Sequence, residues 1–154
     1  MQGGQFRSCI PSLSHTAEAM ARAAVEQHER AHVDSSEAAA ALARVLVAAG
    51  KIEEAHTVAA TAVARAPDEL NGQIAAADVE LSEKHPELAI VRLNKAVAAR
   101  LPEVPHRFDA ELLLARALSA AGKTQEAESR FRTLAAEARQ KRFALVEKAA
   151  LEKR

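Results

Sequence analysis

Residues 42–55 read LARVLVAAGKIEEA and residues 114–127 read LARALSAAGKTQEA, ten identities in fourteen positions at a constant offset of 72. Such self-similarity means that the chain stacks copies of one supersecondary unit, because a single copy cannot bury its apolar face alone. Midway, the segment KHPELA at 84–89 stands in the place of the GKxxEA turn, with Ala89 lying 34 residues after Ala55 and 38 before Ala127. The period is therefore 34, with four residues inserted once. The insertion is expected in the loop 101–106, where Pro102 and Pro105 cannot both continue a helix.

Within each copy the pattern predicts helix, tight turn, helix. Ala39, Leu42, Ala43 and Leu46 have the spacing of one helical face. Asp34 is placed to cap that helix, with Glu37 three residues later completing a capping box. Gly50 supplies the residue that closes it. The second helix carries Ala55, Ala59 and Ala62 in an i, i+4, i+7 row, and the matching rows are Ala89, Leu93, Ala96 and Ala127, Phe131, Leu134. Small residues at the head of each row allow close helix crossing. Pro67 ends the first copy and Asp68 is placed to cap the next helix.

Composition points the same way. Ala, the best helix former, fills 38 of the 154 positions, whereas Gly and Pro number five each and Trp and Tyr are absent. An all-α chain follows, with a core of closely approaching backbones. A folded object of this length buries roughly 70% of the surface that its unfolded chain exposes, so a sizeable core is available. Twenty-one Lys plus Arg balance twenty-one Asp plus Glu. No global field then draws the chain to nucleic acid or to anionic lipid, and neither is an expected partner. The lone Cys9 cannot form an internal disulfide, and no apolar run approaches the roughly 20 residues of a membrane span. Residues 1–14, with one Arg and no continuous apolar stretch, read as a disordered polar leader and not as a secretory signal. A cytoplasmic location is the expectation.

A 34-residue helix-turn-helix period, small residues at the helix crossing, Gly at the turn and Pro at the boundary make the chain resemble the tetratricopeptide repeat (TPR) family, in an Ala/Leu-rich, bacterial-type variant. The resemblance covers about 36–141, as units of about 36–69, 70–107 and 108–141 within one domain of 15–154. It implies a right-handed helical-hairpin α-solenoid. The second unit departs from the pattern, with Lys84 in place of the turn Gly and Glu80 where a large apolar residue is expected. Phe131 is the aromatic that fits the family's pattern. At the front, Ala21, Val25 and His28 lie 34 residues before Ala55, Ala59 and Ala62. The helix 16–32 therefore resembles the second helix of a preceding unit. At the back, Phe143, Val146, Ala149 and Ala150 form an amphipathic stretch suited to a capping helix at 142–154. The run 137–145 also looks like the tail of helical-repeat regions in bacterial multidomain signalling regulators.

The family resemblance implies a non-enzymatic module that binds a protein or peptide in the groove lined by its first helices, with no cofactor. The residues expected there are Glu37, Ala40, Arg44 and Val47, then Asn71, Ile74, Asp78 and Leu81, then Asp109, Leu112, Arg116 and Ser119. Arg44, Asp78 and Arg116 occupy equivalent places on successive helices. Apolar spots flanked by alternating charge suit a peptide that carries acidic and basic side chains, each Arg holding a carboxylate through two bonds. The Lys/Asn/Lys/Arg clamp of chaperone-binding TPR proteins finds mostly Ala, Ile and Leu at its positions here. An alternative is a regulatory fragment of a larger signalling protein that packs on a sister domain or on its own kind as a homo-oligomer.

A third reading is enzymatic. His28-Glu29-Arg30-Ala31-His32 spells HExxH, which on a helix sets two imidazoles one turn apart with a carboxylate beside them, the arrangement of a zinc peptidase. Its surroundings are wrong: Glu26, Arg30 and Asp34 stand where that pattern wants uncharged residues, no HxxGxxH extension follows, and Glu53 or Glu54 is the nearest third ligand. His15, His56, His85 and His106 read as surface or capping residues beside turns. The purified protein should hold far less than one equivalent of zinc by elemental analysis. Stoichiometric zinc that disappears in His28→Ala or His32→Ala, together with peptidase activity, would establish the enzymatic reading instead.

Overall fold

The computed structural model of the chain describes residues 13–31, 35–99, 104–140, 148 and 150–152. These residues form α1 (Leu13–Arg30), α2 (Ser36–Ala48), α3 (Ile52–Arg65), α4 (Leu70–Ser82), α5 (Pro86–Ala99), α6 (Val104–Ala120) and α7 (Thr124–Gln140), and no strand occurs among them. Helices α2/α3, α4/α5 and α6/α7 are the three hairpins of the repeat. Each second helix packs on the first helix of the next hairpin: α1 on α2, α3 on α4, α5 on α6. First helices also touch one another, α2 with α4 and α4 with α6, whereas α3 and α5, or α5 and α7, make no backbone approach. Among the described helices the stack is therefore tighter on the first-helix side, which becomes the inner side of its curve.

Alanine sets the helix spacing. Ala55, Ala89 and Ala127, the three turn-proximal alanines of the repeat, are 0%, 0% and 1% exposed. A methyl group at these positions leaves room for close packing of the paired helices, and Leu46 in one lobe of the core and Leu93 and Leu118 in the other are fully buried with them. Each such leucine stabilises the fold by about 1.5–3 kcal/mol through burial. The core has two lobes joined by α4, which sends Ala75, Ala76 and Val79 into the first and Ile74 and Ala77 into the second.

The three inter-helix turns are one structure repeated. Gly50 and Gly122 adopt φ of 76° and 77°, and Lys84 takes the same left-handed conformation at φ 65°. In each turn the following amide reaches back five residues, Lys51 to the Leu46 carbonyl at 2.9 Å, His85 to Glu80 at 2.8 Å and Lys123 to Leu118 at 2.9 Å. This is the helix stop that the repeat pattern demands, so the missing glycine of the second unit changes the cost of the turn and not its shape.

Several expectations change. Helix α1 starts at Leu13, so His15 lies inside its first turn and the leader boundary at 14 falls within the helix. Helix α2 has Ser35 and α4 has Glu69 at the N-cap position, neither making a side-chain cap bond; Asp68 thus does not cap α4, while Asp34 lies outside the described residues. Ser35 instead accepts a hydrogen bond from Arg65, and Ser36 donates to Glu69 at 2.8 Å, linking the starts of two successive hairpins. Helix α6 has 17 residues where α2 and α4 have 13 each. The four extra residues thus extend α6 at its front, and Pro105 and His106 are helical, because a proline in a first turn has no intrahelical N–H bond to lose. Phe108, absent from the expected core, is 1% exposed and among the largest fully buried side chains. Of the expected capping stretch, Ala150 is described and is 1% exposed against the second lobe; Phe143, Val146 and Ala149 lie outside the described residues.

A lysine held at positive φ costs about 1 kcal/mol relative to glycine, partly offset by the greater chain entropy that glycine brings to the unfolded state. Lys84→Gly is expected to raise stability by about 0.5–1 kcal/mol in urea titrations. An unchanged or lowered midpoint would show that the second turn does not share the conformation of the other two.

Candidate functional site

The inner helices bring the expected groove residues together only in part. Ala40 and Ile74, expected to line the groove, are each 1% exposed and belong to the core, because α2 and α4 are packed on more than one side and their apolar arcs are wider than a single stripe. Val47, Leu81 and Leu112 are half-buried at the edges of the two lobes, and Glu37 and Ser119 are exposed at the helix ends.

The charged positions do converge. Arg44 Nη1 on α2 donates to Asp109 Oδ2 on α6 at 3.3 Å, passing over α4. Half-buried Asp78 on α4 lies in the field of both Arg44 and Arg116. Burial pushes the Asp78 carboxyl above the ordinary aspartate value, and the two guanidiniums pull it back only in part. The Arg44 and Asp109 side chains are 46% and 40% exposed, so their pair contributes less than about 1 kcal/mol to stability.

A second recess opens beside α5, away from that strip. A cleft of about 790 Å³ is lined from α4 by Asn71, Gln73 and Glu80, from α5 by Leu88, Val91, Arg92 and Lys95, and at its end by Glu37 and the turn before α4. Glu37 and Asn71, expected in the inner groove, border this cleft instead. Glu80, the apparent misfit of the second repeat, is explained here: its Oε1 accepts from Arg92 Nη2 at 2.6 Å and Nε at 2.9 Å, while Arg92 Nη1 donates to Gln73 Oε1 at 2.9 Å. Arg92 is therefore part of an interhelical ion pair, not the ordinary second-helix surface that its sequence position suggests. The sequence signal was Glu80, a carboxylate where an apolar residue is expected, with Arg92 twelve residues further on across a turn.

The described part of the HExxH segment is occupied by structural contacts. His28 Nδ1 donates to the Ala24 carbonyl at 2.8 Å, one turn back, and Glu29 accepts from Arg65 at 3.2 Å. His32 lies outside the described residues. Glu54, weighed as a third ligand, accepts from Arg22 at 2.6 Å. Nearer the start of α1, Lys51 donates to both oxygens of Glu18 at 2.7 and 2.9 Å, and Arg22 bridges Glu18 and Glu54. Hydrogen bonds from Lys51 and then Arg22 hold the Glu18 carboxyl below the usual range. Among the described residues, no group of three or more His, Cys, Asp or Glu side chains could hold a metal ion, and no helix is long and apolar enough to cross a membrane.

No family model and no curated protein sequence matches the chain. Among solved structures it is similar to the chain described as "MamA MSR-1 C2", with a TM-score of 0.51 at 20% identity over 90% of this chain and 92% of that one. Likeness at this identity concerns the fold, and it agrees with the helix order: the chain has an all-α, TPR-like helical repeat fold.

Asp78 also generates a pH signature. Its folded-state pKa is raised above the unfolded value near 3.8, so the native state binds the proton more tightly. The associated stability is fully present below the unfolded value and is lost as pH rises through the folded one. Asp78→Asn, which stays neutral, is expected to unfold at a higher urea concentration than the parent at pH 7, with the gap closing below the ordinary aspartate range. A variant less stable than the parent at pH 7 would show that the two arginines outweigh desolvation at this site.

Proposed function

We propose that this protein is a non-enzymatic protein-interaction module and that its inner, first-helix face binds a segment of a partner protein. The observation that carries the reading is the meeting of Arg44, Asp78, Arg116 and Asp109, from three different helices, in one charged strip. The side chains come from rigid helices, so the strip is ordered before any ligand arrives and little conformational entropy is lost on binding. Arginine on either side of a desolvated aspartate offers two places for ligand carboxylates with a repulsive point between them, which selects the spacing of acidic side chains on the partner. The TPR-like fold supports the same function by analogy of architecture.

The test begins with a partner recovered on the immobilised protein and then titrated calorimetrically. Arg44→Glu or Arg116→Glu is expected to weaken binding at least tenfold, since a charge-assisted contact is worth roughly 1.5–3 kcal/mol. Arg132→Glu, on an outer helix with a side chain 79% exposed, serves as the control and should change little. Arg92 is unsuitable as a control because of its ion pair with Glu80. Equal affinities for the three variants and the parent would remove the inner face from consideration.

A further inference from the structure

Helix α5 leaves two large apolar side chains outside the core, Leu88 at 57% and Val91 at 67% exposure. With Lys95 they fall at i, i+3 and i+7, one continuous stripe of the helix surface. That stripe forms a wall of the 790 Å³ cleft. Charge around the cleft is unbalanced: Glu37, Asp68, Glu69 and Glu80 face Arg92 and Lys95. Arg92 is committed to Glu80 and Gln73, whereas Glu37 and Asp68 are exposed at the rim. Among the described residues no donor reaches Glu80 Oε2, although this oxygen is buried. An acceptor of that kind costs free energy until a donor approaches it.

We propose that the cleft between α4 and α5 is a second docking surface, which takes a basic amphipathic segment of a partner protein. Its apolar side chains cover Leu88 and Val91, and its Lys or Arg side chains lie against Glu37 and Asp68. Charge complementarity selects the occupant: an acidic segment meets an excess of carboxylates at the rim, and a nucleic acid meets the same barrier. Arg44, Asp78 and Arg116 line no part of this cleft, so it operates independently of the inner face. One module then holds two partners, or two segments of one partner, on different sides of the second hairpin.

The experiment uses a fluorescein-labelled helical peptide of about 16 residues, with leucines at i, i+3, i+4 and i+7 flanked by lysines, and a counterpart with every Lys replaced by Glu. Anisotropy titrations should show the Lys peptide binding at least about tenfold more tightly than the Glu peptide, with an affinity that falls as salt is raised. Val91→Ser removes an apolar anchor and Asp68→Lys reverses a rim charge; both lie on the surface, and circular dichroism checks their fold. Each should weaken the Lys peptide several-fold, whereas Arg132→Gln, on α7 and outside the cleft, leaves it unchanged. Amide shifts in the labelled protein should change at 68–73 and 88–95. No binding, equal binding of the two peptides, or shifts centred on Arg44, Asp78 and Arg116 would overturn the proposal. Concentration-dependent dimerisation of the free protein that Val91→Ser abolishes would assign the face to a second copy and overturn it as well. The inner-face titrations with Arg44→Glu and Arg116→Glu stand apart from every one of these outcomes.

Discussion

Close approach of two helices over an alanine is the contact from which the rest of this protein is built. Ala55, Ala89 and Ala127 have essentially no accessible surface, and each sits five residues beyond a left-handed turn residue that reverses the chain. The turn fixes where the second helix starts, and the alanine fixes how near it comes. Repetition of that pair of constraints then fixes how one hairpin meets the next, because a second helix held close to its own first helix still has an apolar flank to bury. The adjoining first helix covers it, as α1 with α2, α3 with α4 and α5 with α6.

Helix α4 bears most of the consequences. It contacts α2, α3, α5 and α6, and its apolar residues supply both lobes of the core. Polar side chains on such a helix are confined to the narrow arcs that remain. Asp78 emerges on the inner side between arginines contributed by its neighbours, while Gln73 and Glu80 emerge toward α5 and meet Arg92. Two chemically different surfaces therefore arise from one helix. In the first, cations flank a carboxylate that burial has made reluctant to ionise. In the second, carboxylates outnumber cations around an exposed apolar stripe.

Long side chains bridge the places where backbones stay apart. Helix α1 makes no backbone approach to α3, yet Glu18, Arg22 and Glu29 are tied to Lys51, Glu54 and Arg65. These ties occupy the helix on which the HExxH spelling begins, at His28 and Glu29. Two imidazoles a turn apart are common on any polar helix; a metal centre needs further ligands converging from elsewhere, and here the neighbouring carboxylate faces an arginine.

The sequence alone determined the helical class, the period of 34 and the buried alanines of the repeat, since each of these depends on neighbours three to five positions apart or on direct self-similarity. It also determined that Arg44, Asp78 and Arg116 share a position in successive repeats. Tertiary structure decided the rest. Ala40 and Ile74 became core because a stacked helix is covered from several directions, which no single-helix periodicity records. The four inserted residues became an extra turn at the front of α6, directly ahead of the buried Phe108. Lys84 took a left-handed conformation because packing on both sides demanded the turn of the other hairpins, outweighing a local preference worth only about 1 kcal/mol. The union of Glu80 with Arg92, and of Arg44 with Asp109 across α4, depends on distances between helices, and those are set by packing, which the linear order of residues does not encode locally.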